Sequence, residues 1–149
     1  MLRFFQIITI FVGVVSIIFL IWEPTVEGRN AHATLFEIYF KDPFLACVYI
    51  SSILFFIMLY NIFKILENIK NNKILLQSTM KSLQVIKYTA TILIILIIIA
   101  ETYLYVALRN ITDDIAGGVF IGILLIMFFA IIGITTIIYE RSIKNKIGR

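Results

Sequence analysis

The chain has 149 residues, of which 61% are hydrophobic and 15% are charged, and its formal net charge at pH 7 is +4. Soluble domains average about 45–50% apolar and about 25% charged residues, and a short soluble chain keeps too much surface to hide this much hydrocarbon. The composition therefore disfavours a soluble enzyme, a nucleic-acid-binding domain, a disordered chain and a disulfide-stapled secreted domain. It indicates a membrane protein.

Four apolar segments follow one another along the chain, and each is close to the roughly 20 residues that cross a bilayer core of about 30 Å. They cover residues 4–22, 43–65, 88–108 and 115–139. They are apolar on nearly every face, too long for the strands of a membrane barrel, and without the alternation that such strands require. Because helices satisfy their own backbone groups in lipid, we predict an all-α fold. The expected architecture is an integral membrane bundle of four transmembrane helices in one domain, 1–149.

The first segment follows Arg3, as the apolar part of a secretory signal would. However, it is long, and Trp22-Glu23-Pro24 follows it in place of a small-x-small cleavage site. These features predict a retained signal-anchor helix rather than a cleaved signal peptide.

Three connectors join the segments. The outer loop, 23–42, contains an aromatic stretch at 34–40 that is typical of a short helix lying at the membrane interface. In the inner connector, 66–87, lysines alternate with apolar residues at helical spacing, and we expect Ser78 to cap the helix that leads into the third segment. The connector 109–114 is a tight outer turn, so the third and fourth helices should be antiparallel neighbours.

The basic residues predict the orientation of the bundle. Ten of them lie on one side of the predicted membrane: Arg3, Lys64, Lys70, Lys73, Lys81, Lys87, Arg141, Lys144, Lys146 and Arg149. The other side has only Arg29, Lys41 and Arg109. Because Lys and Arg in short loops accumulate on the cytoplasmic side, we predict that both termini are cytoplasmic and that the protein is a multi-pass protein of the cell (plasma) membrane.

The net charge of +4 follows from this topology. With acidic residues included, the inner side carries about +8 and the outer side about −3, and Glu101 lies between them. The basic side can also attract anionic lipid headgroups of the bilayer. No direct binding of nucleic acid is needed to explain the charge, and we expect none.

Glu101 is the only acidic residue within the four apolar segments. It lies seven residues inside the outer end of the third segment, which is roughly 10 Å at 1.5 Å per residue. Matching depths on the other segments are occupied by Ser16, Ser51, Ser52 and Gly122. Two interpretations stay open. Glu101 is a proton- or cation-responsive site, or it is a protonated carboxyl that is hydrogen-bonded to these hydroxyls and holds the helices together.

Asp113 and Asp114 stand immediately before the fourth segment. Carboxylates at a helix N-terminus accept hydrogen bonds from free N–H groups and favour the positive end of the helix dipole, so we predict that they cap this helix. Gly118 and Gly122 follow at the spacing that permits close approach of another helix. This spacing predicts helix packing without indicating whether the partner helix is in the same chain or in a second copy of a homo-oligomer.

Residue types for catalysis or for metal binding are scarce. Cys47 is the only cysteine and His32 the only histidine, so a disulfide, a His/Cys zinc site or a cysteine–histidine nucleophile pair cannot form within one chain. There is also no glycine-rich phosphate loop and no nucleophile beside a base. The sequence therefore predicts a protein that is not an enzyme and that holds no metal and no cofactor.

Several stretches together resemble one known family. They are 23–31 (EPTVEGRNA), 38–44 (IYFKDPF), 71–74 (NNKI), 83–88 (LQVIKY) and 113–118 (DDIAGG). Over nearly its whole length the chain is similar to small bacterial membrane proteins grouped as the domain-of-unknown-function 2975 family. The resemblance implies a four-helix integral membrane protein of undefined biochemical role. It also implies a neighbouring gene for a small helix-turn-helix regulator, since such proteins are often encoded beside one.

Two functional hypotheses from different classes follow. In the first, the protein is a membrane-bound regulatory or signalling partner whose basic surface, 64–87 and 141–149, holds a soluble helix-turn-helix regulator. In the second, it is a small transporter or permeability factor with Glu101 in the translocation path. The absence of intramembrane charge pairs and of broken helices disfavours transport, so we favour the first hypothesis.

Overall fold

The computed structural model describes residues 2–26, 34, 36, 43–73, 77–108 and 115–147. Within these ranges the regular elements are four helices: α1 (Leu2–Val26), α2 (Pro43–Lys70), α3 (Gln77–Leu108) and α4 (Ile115–Ile147). Each helix contains a segment that is long and apolar enough to cross a membrane. The predicted all-α fold of four transmembrane helices is confirmed, and the chain is a multi-pass membrane protein.

The helices are longer than the apolar segments that predicted them. Helix α3 begins at Gln77, eleven residues before Tyr88, and α4 continues eight residues past Tyr139. Most of the predicted connector 66–87 is therefore helical, and Ser78 lies inside the first turn of α3. Residues 23–26, assigned from the sequence to the outer loop, belong to α1. Hydropathy marks the part of a helix that lies in hydrocarbon, whereas the helix itself continues for as long as its packing supports it.

The helices pack in chain order, α1 against α2, α2 against α3, and α3 against α4. Helices α2 and α4 also meet, since the ring centroids of Phe55 and Phe129 are 6.3 Å apart. Helices α2, α3 and α4 thus form a three-helix unit. Helix α1 lies against α2 near Gly13, where an added Cβ would be 3.7 Å from Leu59, and its apolar segment Leu2–Trp22 contains no buried residue.

The buried core lies between α2, α3 and α4. It consists of Met58, Ile65, Leu83, Ile86, Ala90, Leu93, Phe129 and Ile143. The four members from α3 recur every three or four residues, which places them on one face of that helix. Where Gly133 meets Ala90, an added Cβ on the glycine would be 3.9 Å from the alanine Cβ. Small residues at this level let α3 and α4 approach closely.

One end of the bundle collects the basic side chains. The antiparallel packing brings together the start of α1, the end of α2, the start of α3 and the end of α4. The basic residues described there are Arg3, Lys64, Lys70, Lys73, Lys81, Lys87, Arg141, Lys144 and Lys146. We call this the basic end, and the opposite end the acidic end. Most of the core residues lie in the half of the bundle nearer the basic end.

Candidate functional site

Glu101 lies in the interface between α3 and α4, directly against Gly122. A Cβ built on Gly122 would overlap the carboxyl group, so this carboxyl occupies the space that a larger side chain would fill. Its Oε2 atom is buried and has no hydrogen-bond partner among the described residues. Glu101 is seven residues from the end of α3, and Gly122 is seven residues from the start of α4. The carboxyl is therefore held well inside the bundle by shape, with one oxygen uncompensated.

The serines expected around Glu101 do not bond its buried oxygen. The hydroxyl of Ser52 donates to the backbone oxygen of Tyr49 at 2.7 Å, within α2 itself. Ser51 is half-buried on the same helix, and Ser16 is half-buried on α1, which packs chiefly against α2. The structure thus brings Glu101 to Gly122 without a hydrogen bond from a serine to Oε2. Whether Glu101 acts as a functional site stays a prediction.

The level of the serines on α2 explains this separation. Phe55 and Phe129 lie at one level of the bundle. Counted from there toward the acidic end, Gly122 is seven residues away along α4, but Ser52 is only three residues away along α2. At 1.5 Å per residue the serine lies roughly 6 Å deeper in the bundle than the carboxyl of Glu101.

The glycine pair of α4 packs within the same chain. Gly118 faces Leu104 of α3, where an added Cβ would be 3.8 Å from the leucine Cδ1 atom, and Gly122 faces Glu101. Gly117, by contrast, has nothing within 4 Å of the position of a Cβ. The four-residue spacing is therefore used to bring α3 and α4 together. The predicted capping residues Asp113 and Asp114 lie outside the described residues, as do the predicted turn 109–114 and, apart from Thr34 and Phe36, the predicted interfacial helix.

A second cluster of charges lies at the basic end. Glu140 of α4 accepts hydrogen bonds from Lys87 of α3 at 3.1 Å and from Lys144, one turn further along α4, at 2.7 Å. The side chain of Glu140 is only 7% exposed, that of Lys87 is 28% exposed and that of Lys144 is 59% exposed. The ammonium group of Lys87 also lies 5.3 Å from the ring centroid of Tyr88. This ion cluster joins α3 to α4 through a nearly buried carboxylate.

The turn between α2 and α3 closes with a defined hydrogen-bond pattern. The N–H of Lys73 donates to the oxygen of Asn68 at 2.7 Å, and the N–H of Asn72 donates to the oxygen of Ile69 at 3.1 Å. Asn72 has a positive φ of 55°. These features define a Schellman motif, in which a residue in the left-handed conformation ends a helix.

Side-chain hydrogen bonds between the end of α2 and the start of α3 stabilise the same turn. The amide of Asn68 donates to the hydroxyl oxygen of Thr79 at 2.9 Å and to that of Ser78 at 3.3 Å. The hydroxyl of Thr79 in turn donates to the backbone oxygen of Lys73 at 3.3 Å, and Thr79 is completely buried. The end of α2 and the start of α3 are therefore fixed relative to each other.

Exposed cations surround this packed end. Lys70, Lys73, Lys81, Arg141 and Lys146 are exposed, as is the acidic residue Glu67. Within the part of the chain that the structure describes, no group of three or more His, Cys, Asp or Glu side chains is close enough to hold a metal ion.

The family of the chain follows from comparison with known proteins. A family model described as "Protein of unknown function (DUF2975)" matches residues 29–141. The chain belongs to this DUF2975 family. The DUF2975 region contains the contact between Glu101 and Gly122 and the pair formed by Lys87 and Glu140, whereas Lys144 lies just beyond it. No curated protein and no solved structure matches the chain.

The ion cluster of this DUF2975 protein was not predicted from the sequence. There, the charges of Lys87, Glu140 and Lys144 served only to predict the orientation of the helices. The four-residue spacing of Glu140 and Lys144 was a signal for a pair on one helix face. The two asparagines after Lys70 were likewise a signal for a helix end, since asparagine tolerates the left-handed conformation. The bond from Asn68 to Thr79 left no such signal, because it depends on how two helices meet.

Proposed function

We propose that this chain is a non-catalytic membrane protein that holds a soluble regulator at its basic end. In this proposal it lies in the cell membrane with the basic end in the cytoplasm. The proposed partner is a small protein with a helix-turn-helix domain, the class of regulator that the family resemblance implies. The observation that carries the proposal is that the exposed cations stand on packed helix ends.

Packing makes the basic end a suitable docking surface. Leu83, Ile86 and Ile143 are buried there, beyond or at the edge of the apolar segments, and the ion cluster of Glu140 joins two of the helices. A partner that binds a fixed surface does not have to order that surface first. A basic tail without packing would lose conformational entropy on binding and would attract acidic molecules with little selectivity.

Charge defines the kind of surface that the partner must present. The exposed side chains at the basic end comprise several cations and one acid, Glu67. Complementary charge steers association and suppresses wrong partners, so the regulator should dock through an acidic face. Since DNA is bound through basic residues, this acidic face should be separate from the DNA-binding surface of the regulator.

The test is purification of the tagged full chain from native membranes in mild detergent. We expect a soluble helix-turn-helix protein to co-purify in stoichiometric amount. The variant Lys70→Gln/Lys73→Gln/Lys81→Gln should lower its yield about tenfold, since exposed ion pairs contribute about 0.5 kcal/mol each and 1.4 kcal/mol is a factor of ten. Replacement of the same three lysines by arginine is the matched control, because it keeps the charge.

Two outcomes would contradict the proposal. One is a soluble partner that stays fully bound to the triple glutamine variant, because the exposed cations would then not form the docking surface. The other is the absence of any stoichiometric soluble partner together with ion flux in proteoliposomes that depends on Glu101. That result would favour the alternative function, a small transporter, although the described helices are unbroken and lack the interruptions common at transport sites.

A further inference from the structure

The apolar segments provide no partner of opposite charge near the level of the Glu101 carboxyl. The apolar segments 4–22, 43–65, 88–108 and 115–139 contain one lysine, Lys64 near the basic end, and no arginine, histidine or second acid. On α2 and α3, the titratable groups nearest to its level are the thiol of Cys47 and the phenols of Tyr49, Tyr103 and Tyr105. None of them is a cation, and α4 carries no titratable side chain between Gly117 and Phe129.

The local geometry adds a second constraint. Gly122 provides the space that the carboxyl occupies, and Oε2 is buried there without a hydrogen-bond donor from the described residues. An ionised carboxylate needs donors, water or a counter-cation, and it is strongly disfavoured in hydrocarbon without them. A protonated carboxyl is neutral, so it can fill the same space without a counter-ion.

We propose that Glu101 is a proton-binding site of the membrane domain and that the space beside Gly122 holds the protonated carboxyl. The ligand is the proton itself, held while α3 and α4 are closed around the side chain. Its release requires water to enter between the two helices. This site is independent of any partner at the basic end.

Reaction with dicyclohexylcarbodiimide tests the proposal on the full chain in lipid vesicles. This apolar reagent enters the membrane and reacts with a protonated carboxyl. The carboxyl proton moves to a carbodiimide nitrogen, and the carboxylate oxygen adds to the central carbon. The adduct rearranges to an acylurea that mass spectrometry locates. Glu67, which is exposed, serves as the internal reference, and Glu101→Gln serves as the blank.

The pH profile is the decisive readout. Labelling of an exposed carboxyl falls about tenfold per pH unit above its titration range. Labelling of Glu101 should stay constant over about two pH units in which the labelling measured at the exposed reference falls. A profile of Glu101 parallel to that of Glu67 would overturn the proposal. So would protection of Glu101 by sodium at constant pH, because the ligand would then be a metal cation.

Two glycine variants test the role of the space beside Gly122. Gly122→Ala places a methyl group where the carboxyl lies, so the pH profile of Glu101 should move toward that of Glu67 by about one unit, a tenfold change in protonation. Gly117→Ala is the matched control on the same helix, since nothing lies within 4 Å of its Cβ position. If Gly122→Ala fails to fold, Glu101→Asp shortens the side chain and should move the profile in the same direction. An unchanged profile in the folded Gly122 variant, or in the aspartate variant, would contradict the role of this space.

Discussion

At the scale of single residues, Glu140 depends on two lysines that reach it from different places. Lys87 approaches from α3 and is mostly buried, whereas Lys144 approaches along α4 and is mostly exposed. A carboxylate with little exposure keeps its charge at low cost only while such donors are present. An exposed lysine that loses its partner is simply hydrated by water. The members of the cluster should therefore contribute unequally to stability.

We predict that Glu140→Gln lowers the free energy of unfolding by about 1–3 kcal/mol, because Lys87 loses its charged partner in a partly buried site. Lys144→Gln should cost less than about 1 kcal/mol, as expected for a half-exposed ion pair. Unfolding in mixed micelles by a denaturing detergent, followed by helical circular dichroism, gives both values. Equal losses in the two variants would show that the cluster contributes only as a surface ion pair.

The contact of Glu101 with Gly122 shows which residue pairs a sequence can predict. Each residue lies seven positions from the end of its helix, and only six residues separate the two helices along the chain, so the two residues are expected at equal depths. The level of Ser51 and Ser52 was not predictable in this way. It depends on the register of α2 against α4, which side-chain packing such as that of Phe55 on Phe129 sets.

At the scale of helices, the turn after α2 requires one residue, Asn72, to adopt an unfavourable left-handed backbone conformation. Asn72 adopts a φ of 55°, which costs an L-amino acid with a Cβ roughly 1 kcal/mol unless its side chain suits that conformation. Asparagine tolerates it better than alanine, and glycine has no such cost. Asn71, the preceding residue, does not have a positive φ.

We predict that Asn72→Ala destabilises the protein by about 1 kcal/mol and that Asn72→Gly leaves stability unchanged or raises it by a few tenths. Asn71→Ala is the matched control and should change stability by less than about 0.5 kcal/mol. The same detergent unfolding experiment measures all three variants. If alanine were tolerated equally at both positions, the Schellman motif would not limit the stability of the bundle.

The lengths of the helices illustrate what hydropathy leaves out. The apolar segments predicted the number and order of the helices, because lipid requires continuous hydrocarbon along each span. They did not place the start of α3 at Gln77, since Thr79 and Ser82 there are polar and yet buried; the helical spacing in the connector and Ser78 predicted a helix start close to this position. Thr79 is satisfied by Asn68 and by the backbone of Lys73, both contributed by α2 and the turn that follows it. Such bonds require the tertiary structure and leave no periodicity in the sequence.

At the scale of the whole molecule, the basic side chains and the buried core are concentrated toward the same end of the bundle. The basic end carries nine of the described cations and most of the described buried core, whereas the apolar segment Leu2–Trp22 of α1 contains no buried residue. The antiparallel order of the helices produces this concentration, because it brings the start of α1, the end of α2, the start of α3 and the end of α4 to the same end. The orientation of the bundle therefore decides which compartment the packed, basic end faces.

We predict that the basic end faces the cytoplasm, as the excess of Lys and Arg on that side requires. In a Cys47→Ser background, Asn71→Cys places a thiol at the basic end, and Thr34→Cys places one in the connector before α2. Both replaced positions are exposed and neither substitution changes the charge. A membrane-impermeant maleimide should label Thr34→Cys in intact cells or spheroplasts, and Asn71→Cys only after permeabilisation.

The reverse labelling pattern would place the basic end outside the cell and would remove the access of a cytoplasmic regulator to it. It would leave the proton site intact, because the surroundings of Glu101 depend on its depth between α3 and α4 and on Gly122. Labelling of both thiols in intact cells would indicate a mixed orientation, and the charge asymmetry would then be too weak to fix the topology. The two proposals therefore depend on different properties of the bundle: one on its orientation, the other on the packing of two helices.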